Sequence, residues 1–89
     1  MVAETDGFLR DLKRLQTPIR NKWERCKKML AEENSTSVKG LGFKRWKPGG
    51  PDCYSVRVDL KYRAHLVYDR DRQTWLATEI GDHKALGHG

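Results

Sequence analysis

The chain has 89 residues, a formal net charge of +6 and a pI near 9.6. A chain of this length is expected to form one domain with a modest core, here spanning residues 1–89. No apolar run approaches the length that crosses a bilayer, and the N-terminus has no basic-then-apolar signal pattern, so we expect a cytoplasmic protein. The positive charge predicts an anionic partner: nucleic acid, an acidic protein or a membrane surface.

The basic excess is concentrated in the second half of the chain, where residues 39–63 carry seven basic and two acidic side chains. The basic residues therefore fall on the predicted sheet. This favours nucleic-acid binding over the alternative that they form a helix whose charges are only solvated. The two cysteines, Cys26 and Cys53, have neither a Cys-x-x-Cys spacing nor a partnered histidine spacing. The sequence therefore predicts no metal site.

The N-terminal third predicts a helical hairpin over about residues 7–33, preceded by a frayed end or a brief strand. Asp6 and Gly7 are suited to cap the first helix. Thr17 is the expected N-cap of the second helix, with Pro18 at its first position. The expected apolar positions recur at helical spacing in both helices and are Phe8, Leu9, Leu12, Leu15, Ile19, Trp23, Cys26 and Leu30. Cys26 is therefore expected in the core rather than as a nucleophile.

The remaining residues predict a sheet over about residues 41–80, broken at 48–52 and followed by a polar tail at 81–89. In the first strand Leu41, Phe43 and Trp46 are expected to point inward, with Lys44 and Arg45 more exposed. Residues 69–73 predict a charged hairpin loop. Its Asp-x-Asp pattern could indicate a cation site, but a plain turn is favoured because no further carboxylates accompany the pattern. Trp75 to Ile80 is the last predicted strand.

Residues 53–68 predict two strands, because apolar and polar residues alternate on both sides of a turn at Asp59–Lys61. A pairing symmetric about Leu60 places Val56 opposite Ala64, Ser55 opposite His65 and Arg57 opposite Arg63. Like charges directly across a strand pair are destabilising. Either an anion lies between the two arginines, or both side chains splay into water.

These elements predict an α+β fold with two N-terminal helices packed on one face of a small twisted antiparallel sheet of three to four strands. The helices are expected to cover Tyr54, Val56, Val58, Ala64 and Leu66. The opposite face would then carry Arg57, Arg63 and His65, with Lys44 or Arg45 nearby and His83 beyond the last strand.

A sheet face with arginines and a histidine suits metal-independent RNA cleavage, in which a ribose 2′-hydroxyl attacks the adjacent phosphate. Arg57 and Arg63 would stabilise the developing negative charge. His65 or His83 would move protons near neutral pH, although a lone histidine on a sheet more often has a structural role. Ser55 has no Ser-His-Asp context, and the glycines do not form a phosphate-binding loop before a helix.

Six segments follow one another along the chain: the helical hairpin, residues 40–44, residues 52–58, Tyr62-Arg63, residues 66–68 and Ile80-Gly81-Asp82-His83. In this order they resemble the RelE/ParE superfamily of toxins from bacterial type II toxin–antitoxin modules. The superfamily's fold, a small antiparallel sheet backed by two N-terminal helices, agrees with the predicted layout.

The resemblance implies a RelE-like or YoeB-like endoribonuclease that cuts mRNA on the ribosome and inhibits translation without a metal or cofactor. It implies that Arg57 and Arg63 bind the scissile phosphate and that His83 takes part in proton transfer. His65 is our own candidate to compensate for a missing acid or base. Five residues would contact RNA: Lys44, Arg45, Lys47, Lys61 and Lys84. The implied partners are a small acidic antitoxin, mRNA and the ribosome, with no membrane.

The sequence departs from the nuclease pattern in two places. No tyrosine follows His83, and residues 38–47 contain no carboxylate. Two alternatives therefore stay open: a ParE-like protein that inhibits DNA gyrase without being an enzyme, and a degenerate paralogue that only binds antitoxin or RNA.

Overall fold

Two helices cover one face of a five-stranded sheet in the computed structural model, which describes residues 2–32, 42, 44–82 and 84–86. The sheet order is β1-β5-β4-β3-β2, with β1 parallel to β5 and the other pairs antiparallel. The elements are β1 (Val2–Glu4), α1 (Asp6–Lys13), α2 (Thr17–Ala31), β2 (Lys44–Arg45), a 3₁₀ turn (Lys47–Gly49), β3 (Cys53–Arg57), β4 (Tyr62–Asp69) and β5 (Thr74–Asp82).

The predicted α+β fold is confirmed, with one strand more than expected. The additional strand is β1, which the sequence left open as a brief strand or a frayed end. The last strand extends to Asp82, so the segment expected as a polar tail begins inside the sheet. Leu41, Phe43 and His83 lie outside the described residues, so the expectations for them stay predictions.

The N-cap of each helix lies one residue before the expected one. Thr5, rather than Asp6, caps α1, because its Oγ1 accepts a hydrogen bond from the backbone N–H of Phe8 at 3.1 Å. Gln16 is the N-cap of α2, so Thr17 is already helical and Pro18 is still in the first turn, where its missing N–H costs nothing. Neither described helix combines the length and the apolar character needed to span a bilayer.

The core lies between the helices and the sheet. It takes Phe8 and Leu12 from α1, and the whole predicted stripe of α2, including Cys26, is buried. The sheet contributes Val56, Val58, Ala64, Leu66, Ala77 and Ile80. Burial raises the pKa of the Cys26 thiol, in agreement with its predicted core position. Leu9 is the exception among the expected apolar positions, since it is 39% exposed.

The predicted register of the central hairpin is confirmed. Val56 pairs with Ala64, Ser55 with His65 and Arg57 with Arg63. The turn is fixed by the Asp59 carboxylate, which accepts from the Leu60 N–H at 2.6 Å and from Lys22 of α2 at 3.0 Å. The Leu60 N–H and then Lys22 lower the pKa of Asp59.

The charged loop after β4 forms a turn around its first carboxylate. Asp69 Oδ1 accepts hydrogen bonds from the backbone N–H groups of Asp71 and Arg72, at 3.1 and 3.2 Å. This is the turn geometry that aspartate side chains favour. The first carboxylate of the Asp-x-Asp pattern therefore orders the backbone of the loop.

Candidate phosphate-binding site

The face of the sheet opposite the helices, called the helix-free face below, carries the two arginines. Because side chains alternate along a strand, the burial of Val56 and Ala64 beneath the helices directs Arg57 and Arg63 to the other side. Arg57 is exposed, whereas Arg63 is only 6% exposed. Both arginines therefore lie on the face that the alternation of residues in the two strands predicts.

Arg63 is held by neutral oxygen atoms. Its Nε donates to Ser55 Oγ at 2.6 Å, and its Nη2 donates to the backbone carbonyls of Gly42 and Ser55 at 3.1 and 3.4 Å. Among the described residues, no carboxylate lies within ion-pair distance of this guanidinium. Burial, and then the positive charge of Arg57, lower the pKa of Arg63. A buried cation beside a second cation is a favourable environment for an anion.

Gly42 brings the backbone against both arginines. Its carbonyl accepts from Arg63, and a Cβ built on it would lie 3.3 Å from Arg57 Cβ. Its φ of +62° lies in the left-handed region, which glycine occupies without steric cost. Nothing in the sequence predicts this contact.

Replacing Gly42 with alanine should lower the free energy of unfolding by about 1–2 kcal/mol and should shift the NMR resonance of the Arg57 Nε–H. The loss comes from the left-handed backbone, and the shift comes from the new methyl group against Arg57. Gly50 is a matched control, because its φ is +104° and a Cβ there would meet no heavy atom within 4 Å. Gly50→Ala should lower stability without moving the Arg57 resonance. An unchanged Arg57 resonance in Gly42→Ala would contradict the packing described here.

His65 lies two residues from Arg63 on the same strand face. It is 3% exposed and stacks on Trp46, with ring centroids 4.9 Å apart and an interplanar angle of 27°. Trp46 therefore lies on the helix-free face, which corrects the expectation that it points inward with Leu41 and Phe43. Because of this stack, the imidazole ring of His65 is covered by Trp46 and is not exposed on the helix-free face.

A carboxylate that the sequence analysis missed also lies on this face. Glu79 of β5 pairs with His65 of β4 and is exposed. A β-bulge between His65 and Leu66 makes Thr78 an extra residue in β5, so that Ala77 and Ile80 are both buried while Glu79 faces away from the helices. Burial, and then the charge of Glu79, raise the pKa of the Cys53 thiol on the same face. In the sequence, the apolar residues Ala77 and Ile80 are three positions apart, which breaks the two-residue period of a strand. This break is the sequence feature from which the bulge could have been predicted.

A short turn closes one side of the face beyond β5. Asp82 accepts from the Ala85 N–H through Oδ1 at 2.7 Å and from the Leu86 N–H through its carbonyl at 3.1 Å. Leu86 is 9% exposed and packs, with Ala85, against the side-chain position of Gly81. Gly81 pairs with Arg63, so this turn flanks the buried guanidinium. The sequence predicts only a polar tail for these residues.

The five predicted RNA-contacting residues do not share one face of the sheet. Lys44 pairs with Ser55 and so shares its face, and Lys84 lies in the turn beside Gly81. Arg45 pairs with Tyr54 on the helical side and donates to the Pro51 carbonyl at 3.0 Å. The two remaining lysines are exposed: Lys47 in the 3₁₀ turn, and Lys61 beside the connection between the helices.

Comparison with solved structures identifies the fold. The RelB–RelE antitoxin–toxin complex from Methanococcus jannaschii matches with a TM-score of 0.78 and 21% identity, over 96% of this chain and 94% of that chain. YafQ from E. coli strain BL21(DE3) matches with a TM-score of 0.78 and 12% identity, over 97% and 96%. The isolated E. coli RelE toxin matches with a TM-score of 0.66 and 12% identity, over 99% and 96%.

Similarity at this level is visible in the structure rather than in the sequence. No protein-family model matches the sequence, and no curated protein is significantly similar to it. The sequence resemblance described above therefore rested on short motifs in order, and the three-dimensional comparison supplies the independent support. The chain has the RelE-like fold that the RelE and YafQ toxins share.

Proposed function

We propose that this protein is the toxin of a toxin–antitoxin pair and that it is an endoribonuclease acting on mRNA at the ribosome, in the cytoplasm. The observation that carries the proposal is the cross-strand pair of Arg57 and Arg63 on the helix-free face, with Arg63 buried and bound only to neutral oxygens in the described chain. The RelE-like fold supports the toxin assignment, because its neighbours include RelE and YafQ toxins.

The proposed reaction needs an environment that stabilises negative charge. The ribose 2′-oxygen attacks the adjacent phosphorus and loses its proton to a base. The bond from phosphorus to the 5′-oxygen breaks, and an acid protonates that oxygen. The products are a 2′,3′-cyclic phosphate and a 5′-hydroxyl. Arg63 supplies fixed donors to the phosphoryl oxygens, and the exposed Arg57 supplies a second, mobile cation from across the strand pair.

Three groups are candidates for the proton transfers. His83 is the group implied by the family resemblance, and it follows directly after β5. Glu79 adds a carboxylate on the same face, diagonally across from Arg63, where strand geometry places Cα atoms about 7–8 Å apart. His65, buried under Trp46, is better suited to support the face than to exchange protons with a substrate.

The RNA backbone would approach along the basic edge of this face. Lys44 and Lys84 lie on either side of the arginine pair and suit phosphates that flank the cleaved one. Lys47 extends this edge beyond β2. Arg45 and Lys61 lie away from the pair, so we assign them to long-range attraction of RNA rather than to direct contact at the cleaved bond.

The proposed protein partner is a small acidic antitoxin. Several neighbouring structures are complexes of RelE with RelB or of YafQ with DinJ. The net charge of +6 would attract an acidic segment at long range and speed its association.

Purified wild-type protein, freed of antitoxin and of metal by a chelator that is then removed, should cleave mRNA in a programmed ribosome, and His83→Ala should reduce the rate. The same preparation should leave DNA gyrase supercoiling unchanged. Inhibition of gyrase without RNA cleavage would select the ParE-like alternative. Antitoxin binding with neither activity would select the degenerate paralogue.

A further inference from the structure

Ser55 is a buried hydroxyl for which the proposed reaction has no chemical role. It is 1% exposed, yet its Oγ accepts the shortest hydrogen bond that Arg63 donates within the described residues, at 2.6 Å. Its backbone carbonyl accepts from the same guanidinium at 3.4 Å. A polar side chain buried to this degree is normally retained because it satisfies a partner.

We infer that Ser55 is a positioning residue, which with the Gly42 carbonyl fixes the plane of the Arg63 guanidinium so that its Nη1 group is the donor offered to a phosphate. A guanidinium has five N–H donors in a rigid fork. The bonds to Ser55 Oγ, Ser55 O and Gly42 O use Nε and Nη2. The two hydrogens on Nη1 make no hydrogen bond within the described chain and form the free edge of the fork.

The geometry explains why a neutral hydroxyl is suited to this position. A carboxylate would hold Arg63 equally well, but it would also neutralise the charge that an incoming phosphate needs. A hydroxyl accepts one hydrogen bond and leaves the full positive charge in place. Fixing the guanidinium before the substrate arrives avoids reorganisation in the transition state, which is the main source of electrostatic catalysis.

This inference rests on the proposed function only for the identity of the anion as the cleaved phosphate. Ser55→Ala should lower kcat for ribosome-dependent cleavage about 10- to 100-fold, with a smaller change in KM, because the guanidinium remains but is no longer held in one orientation. Ser55→Thr keeps the hydroxyl and should restore most of the rate. Thr74→Ala removes a strand hydroxyl that donates to the Arg72 carbonyl at the far end of β5, and it should leave the rate unchanged.

Two measurements test the positioning without any RNA cleavage. In wild-type protein, the Arg63 Nε–H should exchange with solvent more slowly than that of the exposed Arg57, and Ser55→Ala should abolish this protection. Inorganic phosphate should shift the Arg63 side-chain resonances in wild type, and Ser55→Ala should weaken that binding about tenfold. Equal exchange rates for the two arginines in wild type would overturn the inference even if Ser55→Ala failed to fold.

The two proposals can fail separately. If wild type cleaves no RNA but its Arg63 Nε–H is protected and phosphate binding depends on Ser55, the positioning role stands and the endoribonuclease is wrong. If wild type cleaves RNA and Ser55→Ala has the wild-type kcat, exchange rate and phosphate affinity, the positioning role is wrong and the endoribonuclease stands. Binding of phosphate that is equal in wild type and in Arg63→Met would mark an adventitious ion only and would also overturn the inference.

Discussion

Replacing Arg63 with alanine should lower the rate of ribosome-dependent mRNA cleavage about 100- to 1000-fold, the range seen when one preorganised donor to a developing oxyanion is removed. The reason is structural, because Arg63 is the cation that the described chain holds in a fixed, buried position. Single-turnover cleavage on programmed ribosomes measures the effect. Arg70→Ala is the control, since Arg70 is exposed, pairs with Asp52 and is absent from the helix-free face. Its rate should match that of wild type.

A second substitution separates function from folding. Methionine at position 63 fills much of the same volume and removes a buried charge that has no carboxylate partner among the described residues. The relief of a buried, unpaired charge offsets the loss of the hydrogen bonds that Arg63 donates to Ser55 Oγ and the Gly42 carbonyl. Arg63→Met should therefore have a thermal midpoint close to that of wild type while losing cleavage. A large drop in the midpoint would mean that Arg63 is retained for the fold, and a wild-type rate would remove it from the reaction.

The arginine pair also indicates why part of this site was predictable. The register of β3 and β4 follows from alternation, because a shift of one residue would expose Val56 and Ala64 and bury the charged residues instead. Once the register was fixed, the relation of Arg57 to Arg63 and of Ser55 to His65 followed. Local sequence patterns are sufficient here because the two strands are adjacent in the chain.

The features that the sequence did not predict depend on contacts between distant segments. Gly42 reaches Arg63 across 21 residues of sequence, and no periodic pattern encodes that approach. Glu79 joins the face because a bulge offsets β5 by one residue. Both features need the assembled sheet, so local propensity does not determine them. Trp46, which stacks on His65, differs: it follows Arg45 on the helical side, so the alternation of side chains along the strand places it on the opposite face.

The second large effect concerns the helical layer. Trp23 of α2 is fully buried, its ring centroid lies 4.9 Å from that of Phe8 in α1, and its Nε1 donates to Glu4 of β1 at 2.9 Å. One side chain therefore joins both helices to the edge strand. Trp23→Ala should lower the free energy of unfolding by about 3–5 kcal/mol. A domain of this size has a total of only about 4–13 kcal/mol, so the variant is expected to be partly unfolded at 37 °C.

Urea unfolding followed by circular dichroism measures the loss, and two variants divide it into its parts. Trp23→Phe keeps an aromatic ring against Phe8 but leaves the Glu4 carboxylate without its indole donor, so it should lose about 1–2 kcal/mol. Leu9→Ala removes an apolar side chain that is 39% exposed on α1 and should lose less than about 1 kcal/mol. A loss for Trp23→Ala no larger than that for Leu9→Ala would mean that the indole does not anchor the helices. Because the helices lie on the face opposite Arg57 and Arg63, Trp23→Phe should also keep the cleavage rate of wild type.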